Sequence, residues 1–282
     1  MVLTDGTEML SKEELRFIYR HAYLPEHLPD YVEAVSGAKP HLAENYLCFL
    51  RRKHLIFIGF PLGKTDTDIA QAYLSACERS NPSTVAIVAP AIWLPEESCE
   101  KQAPDQYYRL DLPLNPVDSS VAYMLRRAQR ELNVTTGGFG REHRKIVKAF
   151  LRTQALTTEQ RRLFEQIPKY LKQTRSARIL EARRKNMLVA FTIVDLGSAD
   201  FAFYLFNFRA LKTNVPGASD LLLQAMVDLA QSEGKKALNL GLGIHPGIQH
   251  FKEKWGGVPF LPYASALVQR APMDIGRLAD KL

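Results

Sequence analysis

The residues best suited to chemistry lie between residues 237 and 263, in the segment ALNLGLGIHPGIQHFKEKWGGVPFLPY. Its alternating leucines predict a short strand. The glycines that follow permit a sharp turn or the close approach of a ligand to the backbone. A short helix carrying Lys252 and Lys254 comes next, and Gly256 and Gly257 end it. A cationic helix beside a strand end could hold an anionic or carbonyl-bearing substrate, while an ordinary strand–helix–strand packing unit explains the same residues equally well.

A second pattern precedes this motif, where the apolar run Phe201–Arg209 leads through a tight turn, Asn214–Ser219, into a predicted helix, Ser219–Ser232. The run FAFYLFNF is apolar on both faces, as a central strand should be. A helix that starts directly after such a turn directs backbone N–H groups at an anion, and Gly217 would permit close approach. The alternative is a plain helix cap at Ser219.

Other familiar chemistries lack their sequence patterns. The chain has no H-E-x-x-H, C-x-x-C, G-x-S-x-G or Walker lysine loop. Among seven histidines, only His245 and His250 have a spacing worth considering for zinc, and it is a weak one. The expectation is therefore no metal and no tightly bound cofactor. Three widely spaced cysteines predict reduced thiols rather than disulfides.

Net charge is +7 over 282 residues, and it is concentrated in the middle of the chain. Residues 121–185 hold 17 Lys and Arg against 5 Asp and Glu, so this region carries +12 and the rest −5. A basic middle suits a phosphate-rich partner, namely nucleic acid, a nucleotide cofactor or an anionic membrane. Solvated helix faces are the alternative explanation. Arg126, Arg127 and Arg130 are the cations expected on the first helix of this region.

The element order predicts an α+β (mixed α/β) fold with two similar halves. Residues 45–112 read as two strands, a helix and two strands, and residues 176–263 as three strands, a helix, a strand and a helix–strand ending. Helices at 121–132, 141–151 and 158–173 join the halves. The predicted domains are 1–118, a basic helical connector at 119–175, and 176–282.

This order resembles that of the GNAT acyltransferase superfamily. Within it, NLGLGIHPGIQHFKEKWGG is similar to the Phe-Lys-x-x-x-Gly ending of Fem-type aminoacyl transferases and to the catalytic domain of lysylphosphatidylglycerol synthases. FIGFPLG, TVAIVAP, YYRLDLP and MLRRAQRELNV look like the first half of those proteins. The resemblance covers roughly residues 45–270 and implies two GNAT-like domains in tandem, a degenerate one before an active one, each a mostly antiparallel sheet flanked by helices.

Carried over residue by residue, the resemblance implies that Lys252 lies near the transferred acyl carbonyl, where an ammonium would stabilise an oxyanion. It implies that the adjacent Phe251 helps to bind the substrate. It implies an acyl-coenzyme A loop at Asn214, Gly217, Ala218 and Ser219, although the sequence departs from the superfamily pattern at two of three positions. Phosphorylated substrates would meet a cationic helix, represented here by Arg126, Arg127 and Arg130. The central strand lacks the glutamate that some GNAT enzymes use as a base, which leaves Tyr204 and His245 as candidates for proton transfer through water.

Two functions follow from these residues. The first is an acyl or aminoacyl transferase that moves an activated acyl group from acyl-CoA or aminoacyl-tRNA to an amine or hydroxyl acceptor. The second is an inactive GNAT-like module that binds RNA or nucleotide through its basic middle. An enzyme at the surface of an anionic membrane ranks last, because no strong amphipathic anchor is present. No transmembrane segment is predicted, and the acidic residues Asp5 and Glu8 do not suit a signal peptide, so a cytoplasmic location is expected.

Overall fold

A computed structural model describes residues 10–270, so Asp5, Glu8 and the ends of the first and last predicted domains lie outside the described residues. Over the described residues the chain forms two compact units, one of residues 10–18, 36–105 and 261–270 and one of residues 19–35 and 106–260. These units differ from the predicted segments 1–118, 119–175 and 176–282. Residues 106–175 cluster with the later part of the chain because the strand at 105–111 pairs with a strand at 237–242.

The first unit is built on a sheet with one covering helix. Its elements are β1 (Lys39–Ala43), β2 (Tyr46–Arg51), β3 (His54–Ile58), α3 (Ile69–Ser80), β4 (Thr84–Ala89), β5 (Glu100–Lys101) and the larger part of β12 (Val258–Gln269). The strands follow the order β1-β2-β3-β4-β12, in which β3 and β4 are parallel and the other pairs antiparallel. A basic turn joins the antiparallel strands β2 and β3, and Arg52 in this turn has a φ of 57°.

The second unit carries the motifs singled out above. Its elements are β6 (Asp105–Asp111), α4 (Ser119–Gln129), β7 (Asn133–Gly137), α5 (Arg141–Thr153), α6 (Thr158–Glu165), α7 (Ile167–Gln173), β8 (Ala177–Arg184), β9 (Met187–Asp195), β10 (Phe201–Arg209), α8 (Ala218–Ser232), β11 (Ala237–Leu242) and α9 (Pro246–Glu253). Two shorter pieces, the C-terminal end of α1 (Lys12–His21) and most of α2 (Pro29–Ser36), also fall in it.

The sheet of this unit has the order β6-β11-β10-β9-β8-β7, and only β10 and β11 are parallel. Helices α4 and α8 cover one face, where Leu222, Met226 and Trp255 are fully buried. Helices α5, α6 and α7 cover the other face over Phe191 and Phe208. The mixed α/β class and the mostly antiparallel sheets flanked by helices are as the sequence predicts.

Local predictions hold for most elements of this unit, and two differ. Strand β7 lies between the helices predicted at 121–132 and 141–151, where no strand is predicted from the sequence. The helix predicted at 158–173 is two helices, since Gln166 ends α6 and Pro168 stands in the first turn of α7. Proline lacks the N–H that a continuous helix would need at this point.

Candidate functional site

The central feature of the second unit is a gap between its two parallel strands. Strands β10 and β11 pair over three residues each, 201–203 with 237–239. Beyond that point β10 continues to Arg209, with a bulge between Tyr204 and Phe206. Strand β11 continues to Leu242, and Gly241 bends it with a φ of 76°. We call the space between residues 204–209 and residues 240–242 the interstrand gap. Separated strand ends present backbone donors and acceptors that an extended ligand can pair with.

The predicted anion-binding turn lies at the end of β10, directly before α8. Gly217 caps α8 with a φ of 83°, a conformation that favours glycine. A Cβ atom built on Gly217 would lie 2.3 Å from the backbone oxygen of Met124 in α4. The close approach that this glycine permits is therefore to a neighbouring helix of the protein. The positive end of the α8 dipole nevertheless lies at this turn, because the helix begins there.

The polar side chains of this turn are engaged within the protein. The Asn214 Oδ1 atom accepts a hydrogen bond from the Arg209 guanidinium, and the Ser219 Oγ atom accepts one from Asn207 Nδ2 at 2.8 Å. Ala218 is buried, and its N–H donates to the oxygen of Val215. An anion at this turn would therefore meet the backbone at the helix end rather than these side chains. A cofactor-binding role for Asn214, Gly217, Ala218 and Ser219 stays a prediction.

Lys252 lies inside the protein, with 3% of its surface exposed. Its ammonium donates to the backbone oxygens of Gly241 at 2.9 Å and Leu242 at 2.5 Å, and it lies 5.2 Å from the centre of the Tyr108 ring. The basic residues of α9 are therefore not all in solvent, because the Lys252 side chain is buried. The nearby Phe251 is half-buried against the core, and Trp255 is buried in it, as expected for residues sharing one helix face.

His245 begins α9 as its N-cap residue. Its Nδ1 atom accepts a hydrogen bond from the Gly247 N–H at 3.2 Å, and the ring is exposed. A role in proton transfer for His245 stays a prediction. Ile244, just before it, has a φ of 60°, which is strained for a β-branched residue.

Tyr204 is the first residue of β10 beyond the paired segment, and its hydroxyl is buried. Among the described residues this hydroxyl has no hydrogen-bond partner. Burial, followed by the negative charge of Asp220, raises the pKa of Tyr204 above its ordinary value, so the hydroxyl keeps its proton. Buried hydroxyls are nearly always paired. The Tyr204 hydroxyl is such an exception, and the backbone of Tyr204 lies where β10 parts from β11.

A polar cluster missed from the sequence ties α8 to α9. Asp220, in the first turn of α8, accepts hydrogen bonds from Trp255 Nε1 at 3.0 Å and from the Lys254 ammonium at 2.6 Å. Lys254 also lies 5.0 Å from the centre of the Phe251 ring. These partners lie about 35 residues apart in sequence, so no local pattern could have identified them.

A second group missed from the sequence is Glu26, in a short 3₁₀ helix at Pro25–His27. Its Oε2 atom is buried without a hydrogen-bond partner among the described residues. Burial raises the pKa of Glu26, while a backbone hydrogen bond and the Tyr107 hydroxyl oppose the rise. Nearby, Asn239 Nδ2 donates to the oxygen of Tyr23 at 2.8 Å, which ties this segment to β11 where the interstrand gap begins.

The three arginines of α4 are exposed near the C-terminal end of that helix. Cations are favourable there because they complement the helix dipole, even without a ligand. Tyr123 on the same helix is 57% exposed. Further exposed cations lie on α5: Arg141, Arg144, Lys145, Lys148 and Arg152. Substrate binding by Arg126, Arg127 and Arg130 stays a prediction.

Two searches of the described part of the chain bear on other functions. Between residues 10 and 270, the His, Cys, Asp and Glu side chains form no group of three or more that could hold a metal ion. Across the same residues, no helix has both the length and the apolar character that crossing a bilayer requires.

Comparison with known proteins places the fold. No family model and no curated protein matches the sequence. Among solved structures, the C-terminal DUF2156 domain of a protein assigned as a lysylphosphatidylglycerol synthetase from Agrobacterium fabrum is similar, with a TM-score of 0.63 and 14% identity over 95% of this chain and 96% of that one. FemX is similar with a TM-score of 0.61 and 10% identity over 96% and 98%. A tandem GNAT protein from the clavulanic acid biosynthesis pathway has a TM-score of 0.51 and 12% identity over 81% and 79%.

These neighbours define the class of protein. The chain has a GNAT-like fold, and the resemblance predicted from the Phe-Lys motif is confirmed at the level of fold. More narrowly, it shares the fold of the group formed by Fem-type proteins and the catalytic domains of lysylphosphatidylglycerol synthases.

Proposed function

We propose that this protein is an acyl or aminoacyl transferase that uses the interstrand gap as its donor site. The observation that supports it most is the combination of separated parallel strands, the start of α8 after β10, and the buried Tyr204 hydroxyl without a partner. The comparisons support a transferase fold and give no support to the RNA-binding alternative.

In this proposal the donor is an acyl-CoA or an aminoacyl-tRNA. An extended donor chain pairs with the backbone of residues 204–209, and its phosphate lies near the start of α8, where the helix dipole favours negative charge. Exposed Arg126, Arg127 and Arg130 supply further positive charge for the phosphates of the donor or of a phosphorylated acceptor.

The chemistry needs little beyond alignment, since thioester and aminoacyl ester carbonyls are already activated. An acceptor amine or hydroxyl attacks the carbonyl carbon, and the bond to sulfur or oxygen breaks. The proton that the acceptor loses passes through water to the leaving group. The Tyr204 hydroxyl donates a hydrogen bond to the oxygen that becomes negative in this step, because its proton is retained at neutral pH.

Donor binding tests this proposal directly. Thermal unfolding of the full chain is followed with acetyl-CoA, with total aminoacyl-tRNA and with deacylated tRNA, and the purified protein is analysed by native mass spectrometry for co-purifying ligands. A donor present at 100 times its Kd should stabilise the protein by about 2.7 kcal/mol. The absence of both a stability shift and a co-purified donor would contradict the proposal.

A matched pair of variants then tests the chemistry. Tyr204→Phe removes only the buried hydroxyl, and Tyr123→Phe removes an exposed one on α4. Transfer to the acceptor found in the first experiment should fall in Tyr204→Phe, with donor binding retained. The Tyr123 variant should match the unmodified chain.

A further inference from the structure

The bend in β11 is held by two side chains that bind the backbone N–H and the backbone oxygen of one residue, Gly241. The register of β11 against β6 shifts between Asn239 and Leu242, and Gly241 sits within the shift. The Gly241 N–H donates to Asn239 Oδ1 at 2.7 Å. The Gly241 oxygen accepts from the Lys252 ammonium at 2.9 Å. Side chains therefore take the place of the ladder partners that a straight strand would use.

Both side chains are anchored elsewhere in the unit. Asn239 is fully buried, and its Nδ2 atom donates to the oxygen of Tyr23. The ammonium of Lys252 also donates to the oxygen of Leu242 and faces the Tyr108 ring. Asn239 is moreover the last residue of β11 that pairs with β10. The bend therefore starts where the two parallel strands part.

We propose that Asn239 and Lys252 act together as positioning residues that hold β11 bent and keep the interstrand gap open. A straight β11 would continue its parallel pairing with β10 and close the space, since unpaired strand edges readily join. Lys252 in this role orients the donor site through Gly241 and Leu242, and it is not the group that stabilises the oxyanion. This inference rests on the proposed function, because it takes the interstrand gap as the donor site.

Hydrogen–deuterium exchange on the full chain without ligand tests the positioning role first. Asn239→Ala and Lys252→Met should each raise exchange of the amides of residues 240–243 by about tenfold, as expected for loss of one hydrogen bond. Lys236→Met, which removes an exposed lysine just before β11, is the control and should leave these amides unchanged. Unchanged exchange in Asn239→Ala overturns the proposal, even if Lys252→Met fails to fold.

Donor binding tests the consequence for the site. Both variants should weaken acetyl-CoA or aminoacyl-tRNA binding by a similar factor. The double variant should bind no more weakly than the singles, because both side chains hold the backbone of the same residue, Gly241. An oxyanion role predicts instead that Lys252→Met lowers kcat with donor binding and exchange intact. That result overturns the positioning role alone, whereas an unmodified chain that binds no donor contradicts the proposed function.

Discussion

Replacement of Gly217 by alanine probes the contact between the turn before α8 and helix α4. The added Cβ would lie 2.3 Å from the Met124 oxygen, where an ordinary contact begins at 3.4 Å, so α4 or the turn must shift by about 1 Å. Overpacking of this kind costs about 1–3 kcal/mol. The φ of 83° adds about 1–2 kcal/mol for a residue with a side chain. We expect a total loss of about 2–4 kcal/mol, which includes a small offset from the reduced freedom of the unfolded chain.

The two contributions can be separated with glycines elsewhere in the chain. Gly234 has a φ of 70°, and no atom lies within 4 Å of a Cβ built on it, so Gly234→Ala reports the backbone cost alone. Gly138 has neither a close neighbour nor that conformation, and Gly138→Ala serves as the blank. Thermal unfolding followed by circular dichroism should show a drop of roughly 4–16 °C for Gly217→Ala, from about 2–4 °C per kcal/mol in a unit of this size.

The comparison between variants decides the outcome. If Gly217→Ala and Gly234→Ala lower the melting temperature equally, α4 does not pack against the turn, and the reasoning about this contact is refuted. If Gly217→Ala lowers the melting temperature more than Gly234→Ala does, donor binding should weaken as well, since the start of α8 is then displaced from β10. A larger loss of stability with donor binding unchanged would remove the turn from the donor site.

Three further outcomes are expected. Glu26→Gln should raise the free energy of unfolding by about 1–3 kcal/mol at pH 8 and by little at pH 4. Because the pKa of Glu26 is raised in the folded state, the folded protein favours the protonated carboxyl and loses stability as pH rises through that pKa. Urea unfolding at both pH values measures the difference. Burial, followed by the charge of Arg79, lowers the pKa of His41 to about 4. The stability that neutral His41 contributes is therefore complete above pH 6.5, and on the order of 2–3 kcal/mol is lost as pH falls from 6.5 to 4. His41→Phe should flatten that part of the plot of urea midpoint against pH, and an unchanged plot would contradict the assignment. Trp255→Phe should lower the free energy of unfolding by about 1–3 kcal/mol, because Asp220 loses one of its hydrogen-bond donors. Trp93→Phe changes a ring with no such bond to Asp220 and is the comparison in the same unfolding assay.

Local sequence patterns were enough to predict most elements of the second unit. The apolar run Phe201–Arg209 coincides with β10, and the helix predicted at Ser219–Ser232 is α8, which begins one residue earlier and ends at the predicted residue. Such predictions succeed because strand alternation, helix spacing and glycine conformations depend on neighbouring residues. Strand β7 was missed because its short, polar sequence lacks that alternation and is held by pairing with β8.

The sequence by itself determined which residues deserved attention, and only the tertiary structure decided what they contact. Spacing placed Lys252 on a basic helix, yet the bend of β11 buries its ammonium against two backbone oxygens. Asn239 carried no signal, because its partner Tyr23 lies 216 residues away in the chain. The partnerless Tyr204 hydroxyl likewise depends on how β10 separates from β11. Long-range contacts of this kind follow from packing and strand pairing, which a local pattern does not encode.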